Sequence, residues 1–158
     1  MREGTNDSVI SRGDKMKLLL DDILDDEIKE YLLSQNGINS VKLKKKDFKT
    51  EVSIECDDNI SHLIIMKYID LFQQNKYPTI LEFNKAFKNK TKKLKYVVKD
   101  MCCEYCYKSL VMNLFEKEFI NSVKSNFDFY KPAFNVELEV EYINYTEDEL
   151  IQIIKENL

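Results

Sequence analysis

The pentapeptide Ile-Asn-Ser-Val-Lys occurs twice in the chain, and this repeat restricts the fold more than any other feature of the sequence. One copy covers residues 38–42 and the other residues 120–124, 82 positions further on. Similarity at a fixed distance is typical of a duplicated structural unit. Because five identical residues could recur by chance, the segments around the two copies must also correspond.

A helical pattern precedes each copy of the pentapeptide. Within residues 26–36 and 106–119, side chains recur at the i, i+3, i+4, i+7 spacing that places them on one helix face. The two sets are Ile28, Tyr31, Leu32 and Gln35, and Tyr107, Leu110, Val111 and Leu114. Gly37 follows the first helix at a position where a left-handed residue is favoured. Both copies are therefore expected directly after a helix.

The remaining elements also correspond between the two halves. A short apolar run begins each half, an alternating apolar and polar segment follows the pentapeptide, and an amphipathic helix comes next. The runs are at 16–20 and 94–101, the alternating segments at 50–56 and 136–142, and the second helices at 60–72 and from Thr146 onwards. Thr146 and Glu149 form the capping-box pattern of a helix start.

The shared order of strand, helix, strand, strand, helix predicts an α+β protein with two tandem ferredoxin-like βαββαβ sandwiches. The first copy has a candidate last strand at 79–83, whereas the second copy lacks its last strand before Leu158. The expected organisation is a flexible N-terminus at 1–13, a first domain at 14–83, a basic linker at 84–93 and a second domain at 94–158.

Composition narrows the classes of partner. The 158-residue chain has 24 basic and 28 acidic residues and a net charge of -4, so its global charge does not indicate a polyanionic partner. Six lysines between positions 85 and 95 form a basic run. We interpret this run as a solvated linker, because no aromatic stacking pattern accompanies it. No apolar stretch approaches the ~18–20 residues of a membrane span. We therefore expect neither nucleic-acid nor membrane binding by this chain.

The cysteines are clustered, since three of the four lie at positions 102, 103 and 106. Such clustering is not the spacing of a secreted disulfide scaffold and favours the reducing cytoplasm. Cys103 and Cys106 fall at the start of the first helix of the second half, where free backbone N–H groups stabilise thiolates. Two thiolates suit a soft ion, above all Cu(I). Other thiophilic ions such as Zn are alternatives, although Zn needs about four ligands and His62 is the only histidine.

The second half resembles the heavy-metal-associated (HMA) domain family, the fold of copper chaperones and of the N-terminal modules of copper-pumping P-type ATPases. The family signature Met-x-Cys-x-x-Cys is matched by Met101, Cys103 and Cys106. The resemblance implies that the two cysteines bind the metal and that Met101 packs beneath the loop. It also implies a carrier that hands Cu(I) to an HMA-like domain or a copper ATPase by ligand exchange. No chemistry on a substrate is implied, so we expect a protein that is not an enzyme.

The sequence departs from the family pattern in both halves. Asp100 replaces a glycine that commonly precedes the methionine, and Cys102 occupies a frequent threonine position. Cys102 is a candidate third ligand, or it points away, since adjacent residues of an extended segment face opposite sides. In the first half, Asp21 and Leu24 stand at the positions of the metal-binding cysteines, so we expect a metal-free domain. Its residues 76–78, Lys-Tyr-Pro, resemble the Gly-Tyr-Pro that often precedes the last family strand.

Two other functions fit the same residues. A Cys-x-x-Cys at a helix start is also the thioredoxin arrangement, but the elements that follow are not those of a thioredoxin. A protein-interaction adaptor with vestigial metal binding is the other alternative, because the first half has already lost its cysteines. Outside the site, we expect Cys56 in the core, His62 on the surface, and the aromatic pairs 115/119 and 127/129 in the core.

Overall fold

The computed structural model describes residues 10–13, 15–21, 26–57, 60, 62–72, 80–101, 103–128 and 135–158. These residues form seven strands and four helices. The strands are β1 (Lys15–Leu20), β2 (Ile38–Lys46), β3 (Lys49–Cys56), β4 (Ile80–Asn84), β5 (Lys92–Lys99), β6 (Ile120–Ser125) and β7 (Asn135–Tyr142). The helices are α1 (Asp26–Leu33), α2 (His62–Phe72), α3 (Glu104–Phe115) and α4 (Glu147–Glu156). The predicted α+β class is confirmed.

All seven strands belong to one antiparallel sheet, in the order β2-β3-β1-β4-β6-β7-β5. The strands of the first half stand in the order β2-β3-β1-β4, and those of the second half repeat it as β6-β7-β5. A short pairing between β4 and β6 joins the halves, with Phe83 opposite Val123 and Asn84 opposite Ser122. The sequence had not indicated this continuous sheet, because the pairing joins strands of different halves.

The core lies on the face of the sheet that the helices cover. Every second residue of β3 and β7 is buried there, as the alternating pattern predicts. Cys56 is 6% exposed, which confirms its place in the core. Thr146 caps α4 as predicted: its hydroxyl accepts from Glu149 N–H at 3.1 Å, and the Glu149 carboxylate accepts from Thr146 N–H at 2.8 Å.

The opposite face of the sheet carries charges that change sign from strand to strand. On β7, Glu139 and Glu141 stand across from Lys95 and Lys93 of β5. On its other side, Glu139 is paired with Lys124 of β6. The Lys93 ammonium approaches Glu139 to 2.9 Å, and this hydrogen bond lowers the pKa of Glu139. Opposite charges on facing strands favour this strand order, because like charges directly across a sheet are destabilising.

His62 lies inside the molecule, between the two halves. Its side chain is 3% exposed, and its ring stands edge-on to Phe115 of α3 at a centroid distance of 5.1 Å. The prediction of a surface histidine is therefore wrong. It failed because the residues that cover His62 are distant in sequence, so no local pattern around position 62 indicates them.

Lys85 is buried beside His62, so the interpretation of the basic run as solvated is wrong at this residue. Its Nζ donates to the Lys117 carbonyl at 2.8 Å and lies 3.4 Å from His62 Nε2. On the other side of the imidazole, Arg12 Nη1 lies 3.2 Å from Nδ1. Burial, followed by the charge of Arg12, lowers the pKa of Lys85 to about 6. Burial, followed by the charges of Lys85 and Arg12, lowers the pKa of His62 to about 3.

These pKa values leave His62 and most of the Lys85 amine uncharged at neutral pH. The contacts then fit one chain of hydrogen bonds: Arg12 donates to Nδ1, Nε2–H donates to the Lys85 amine, and the amine donates to the Lys117 carbonyl. The chain links the N-terminal segment to α2, to the connection after β4 and to the end of α3.

The segments expected to be a flexible N-terminus and a linker also have defined contacts. Arg12 forms a β-bridge with Phe87, and Gly13 N–H donates to the Ala86 carbonyl at 2.7 Å. Residues 1–9 and 76–79 lie outside the described residues, as does Leu24. No helix in the described ranges is both long and apolar enough to cross a membrane.

Candidate metal site

Cys103 and Cys106 stand at the junction between β5 and α3, where the sequence predicted them. Cys103 is the N-cap residue of α3, with an extended backbone, and Cys106 lies in the first turn. Their sulfur atoms are 3.6 Å apart, and both residues are exposed. A soft ion bound by two thiolates at about 2.3 Å each needs sulfurs no more than about 4.6 Å apart. The present separation lies within this limit, and a near-linear site would need the two sulfurs about 1 Å further apart.

The sulfur atoms of this pair are in different chemical states. Cys103 carries a thiol that donates to Cys106 Sγ, whereas Cys106 is disulfide-bonded. A sulfur in a disulfide is no thiolate ligand, so the pair can bind a metal only after reduction. Cys102, the candidate third ligand, lies outside the described residues.

The loop before the cysteines has one residue with a left-handed backbone. Asp100 has a φ of 56°. Aspartate is one of the residues that tolerates this region, so the departure from glycine is accommodated. Met101, which follows it, is 8% exposed and belongs to the hydrophobic core.

Residues of the first half of the chain contact α3, the helix that carries Cys106. The Tyr107 hydroxyl, next in sequence, donates to the Leu81 carbonyl of β4 at 2.7 Å and contacts Ser125 Oγ. Burial raises the pKa of Tyr107, so this hydroxyl stays protonated. Lys108 forms an ion pair with Asp21 at 2.6 Å, and the Lys108 side chain is only 10% exposed. Asp21, the counterpart of Cys103 in the sequence repeat, thus contacts α3 of the other half.

No further ligand completes a larger site in the described part of the chain. No three or more Cys, His, Asp or Glu side chains come together there in a way that could hold a metal ion. His62, the only histidine, is enclosed among Arg12, Lys85 and Phe115. At this junction the described residues therefore offer two sulfurs, fewer than the four ligands of a tetrahedral zinc site. Comparison of the chain with known protein families, curated proteins and solved structures gave no match.

Proposed function

We propose that the protein is a carrier for a soft metal ion, Cu(I) above all, built from two tandem ferredoxin-like units of which the second is HMA-like. The observation that carries the proposal is the pair of exposed sulfurs, 3.6 Å apart, at the N-terminus of α3. The strand order β6-β7-β5, which repeats β2-β3-β1, supports the tandem arrangement.

Exposure of both cysteines suits transfer by ligand exchange. A thiolate of the partner would bind the ion, Cys103 or Cys106 would leave it, and a second partner thiolate would then displace the remaining sulfur. The partner would be another cytoplasmic HMA-like domain or a copper ATPase. The first half would contribute no ligand and would hold α3 in place through the Asp21–Lys108 and Tyr107–Leu81 contacts.

A Cu(I) titration of the reduced protein tests the proposal. Protein kept in a phosphine reductant competes for Cu(I) with the chelator bathocuproine disulfonate, whose colour reports the ion that the protein has not taken. We expect one equivalent of Cu(I) to bind. Cys103→Ser and Cys106→Ser should each weaken binding at least about 100-fold, or ~2.7 kcal/mol, because a single thiolate then remains of the pair.

Cys56→Ser is the matched control for the loss of a thiol. Cys56 is buried in the core, so its replacement should leave the Cu(I) affinity unchanged. Equal affinities of the wild type and the two site variants would contradict a Cys103–Cys106 site. Zn²⁺ titrated in place of Cu(I) should bind more weakly, and tighter Zn²⁺ binding would show that the ion has been misassigned.

Thiol–disulfide exchange is a second candidate function, because the Cys103 thiol contacts a sulfur that is already in a disulfide. Attack by the Cys103 thiolate on Cys106 Sγ would form a Cys103–Cys106 bond and release the former partner of Cys106 as a thiolate. The exchange is internal, so it needs no external oxidant. If it operates, Cys103→Ser should abolish reduction of a disulfide-bonded test peptide by the reduced protein, while Cys56→Ser should not. Equal peptide reduction by all three proteins would exclude Cys103 as the attacking group.

A further inference from the structure

One end of the sheet is formed by β5, and its outer edge is regular. All eight residues of β5 pair with β7 in an unbroken register, from Lys92 opposite Tyr142 to Lys99 opposite Asn135. No strand in the described ranges pairs with its other side. In the first half, the corresponding side of β1 is occupied by β4, with Leu18 opposite Phe83 and Leu19 opposite Glu82. The repeated strand order therefore leaves one edge of the second half open to an added strand.

The strand at the other end of the sheet, β2, has features that protect an edge from further pairing. Its register with β3 shifts between Ile38 and Ser40. The exposed Lys45 also stands at one of the alternate positions of β2 that face the helices. Bulges and charges on the inward phase both hinder the addition of a strand. On β5 the register has no shift, and the residues in the helix-facing phase after Lys92 are Leu94, Tyr96 and Val98. Lys92 places a similar charge at the start of β5, so the unbroken register is what makes the β5 edge the more receptive of the two.

The charge on β5 indicates what kind of strand would pair with it. Lys93, Lys95 and Lys99 are exposed on the open face, and Val97 between them is 46% exposed. An antiparallel second copy of β5 would set lysines beside lysines, which is destabilising. The neighbour that β5 already has, β7, offers alternating carboxylates to the same lysines. Acidic side chains on the open face are therefore the complementary choice.

The strand β4, which pairs with β1 in the first half, shows where the apolar side chains of an added strand would lie. Beside β1, it places Glu82 on the open face and the buried Phe83 on the helix side. We infer that the outer edge of β5 is a docking site for an extended segment of a partner protein in which acidic and apolar residues alternate. This segment would become the eighth strand of the sheet, with its carboxylates beside Lys95 and Lys99. The inference does not depend on metal binding.

Nuclear magnetic resonance with a synthetic peptide tests this docking site. The probe is an eight-residue capped peptide in which valine and glutamate alternate, added to ¹⁵N-labelled full-length protein. We expect chemical-shift changes centred on residues 92–99 and slowed hydrogen exchange at the β5 amides that point outwards. The double variant Lys95→Gln/Lys99→Gln should bind the peptide about two- to tenfold more weakly, as for the loss of two exposed ion pairs.

The lysine-rich edge at β2 provides the matched control. Lys42→Gln/Lys44→Gln removes the same charge from β2 and should leave peptide affinity unchanged. Several results would overturn the inference: shifts centred on residues 38–46, equal binding of a peptide with lysine in place of glutamate, or no shift at millimolar peptide. Shifts at β5 that grow with protein concentration in the absence of peptide would instead assign the edge to a second copy, and would overturn it as well.

Discussion

Replacing Lys85 with methionine should stabilise the protein by about 1–4 kcal/mol at neutral pH, because methionine removes the cost of deprotonating a buried lysine, and this gain outweighs the loss of the hydrogen bonds to the Lys117 carbonyl and His62. Lys85 is 3% exposed, and its Nζ lies 5.3 Å and 5.1 Å from the ring centroids of Phe83 and Phe115. In the described part of the chain, no carboxylate forms an ion pair with it. Methionine keeps the length of the side chain and removes the ionisable amine.

The pH dependence of unfolding distinguishes stabilisation by removal of the ionisable amine from stabilisation by better packing. Folding lowers the pKa of Lys85 from 10.5 to about 6, so between these values the unfolded chain binds the extra proton. The stability due to this group therefore rises with pH across this window, and below pH 6 it no longer changes because both states are protonated. The pKa of His62 falls from 6.5 to about 3. Its contribution to stability is thus lost as pH falls from 6.5 towards 3.

Urea unfolding followed by circular dichroism at pH 5, 7, 8.5 and 10 measures both effects. The Lys85→Met protein should lose the rise in stability between about pH 6 and 10.5 and should keep the acid-side loss from His62. Lys88→Met, at an exposed lysine in the same connection, is the control and should change stability by no more than about 0.5 kcal/mol. A Lys85→Met protein that keeps the alkaline slope would show that Lys85 is charged in the folded state, and one that is less stable than the wild type would show that the lost hydrogen bonds outweigh the deprotonation cost; either result contradicts the prediction.

The elements of the fold could be predicted from the sequence because their signals are local. The Thr146 capping box involves residues three apart, and the strand alternation in 50–56 and 136–142 reports which side chains are buried. Helix ends were less well predicted. The helix over 26–36 ends at Leu33, where residues 34–37 continue as turns towards Gly37, whose φ is 89°.

The contacts between the halves could not be predicted, because they join residues that share no local pattern. The burial of His62 depends on Phe115 and Lys85, and the ion pair of Lys108 depends on Asp21 at the end of β1. Both follow from the pairing of β4 with β6, which each half by itself does not specify. The Cys103–Cys106 pair was found because its signature occupies six adjacent residues, whereas the disulfide state of Cys106 left no sign in the sequence.

Phe115→Ala should lower the free energy of unfolding by about 3–5 kcal/mol, the usual cost of removing a fully buried aromatic ring. The Phe115 side chain is 0% exposed at the end of α3. Its ring meets Phe83 of β4 edge-on at 5.0 Å and His62 of α2 at 5.1 Å. Alanine would therefore leave a cavity at the junction, lined by residues of both halves. Chemical denaturation measures the loss.

Hydrogen exchange can show whether removal of the Phe115 ring loosens the junction between β4 and β6 or the second half alone. In Phe115→Ala, the amides of β4 and β6 should exchange faster, because the ring packs beside their pairing. Phe119→Ala is the matched control, since Phe119 is half-buried and meets Tyr145 of its own half at 5.6 Å. It should cost less and leave exchange in β4 unchanged. A cost below about 1 kcal/mol for Phe115→Ala would contradict a packed junction.

The same variant also separates the two ends of α3. Phe115 secures the last turn of the helix, whereas Tyr107 and Lys108 attach its first turns to Leu81 and Asp21. Folded Phe115→Ala protein should therefore keep the Cu(I) affinity proposed for Cys103 and Cys106, although its junction is weaker. Lys108→Met should instead weaken Cu(I) binding, because it removes the ion pair with Asp21 that attaches the start of α3 to the first half. A loss of Cu(I) affinity in folded Phe115→Ala equal to that in Lys108→Met would mean that α3 moves as one rigid unit.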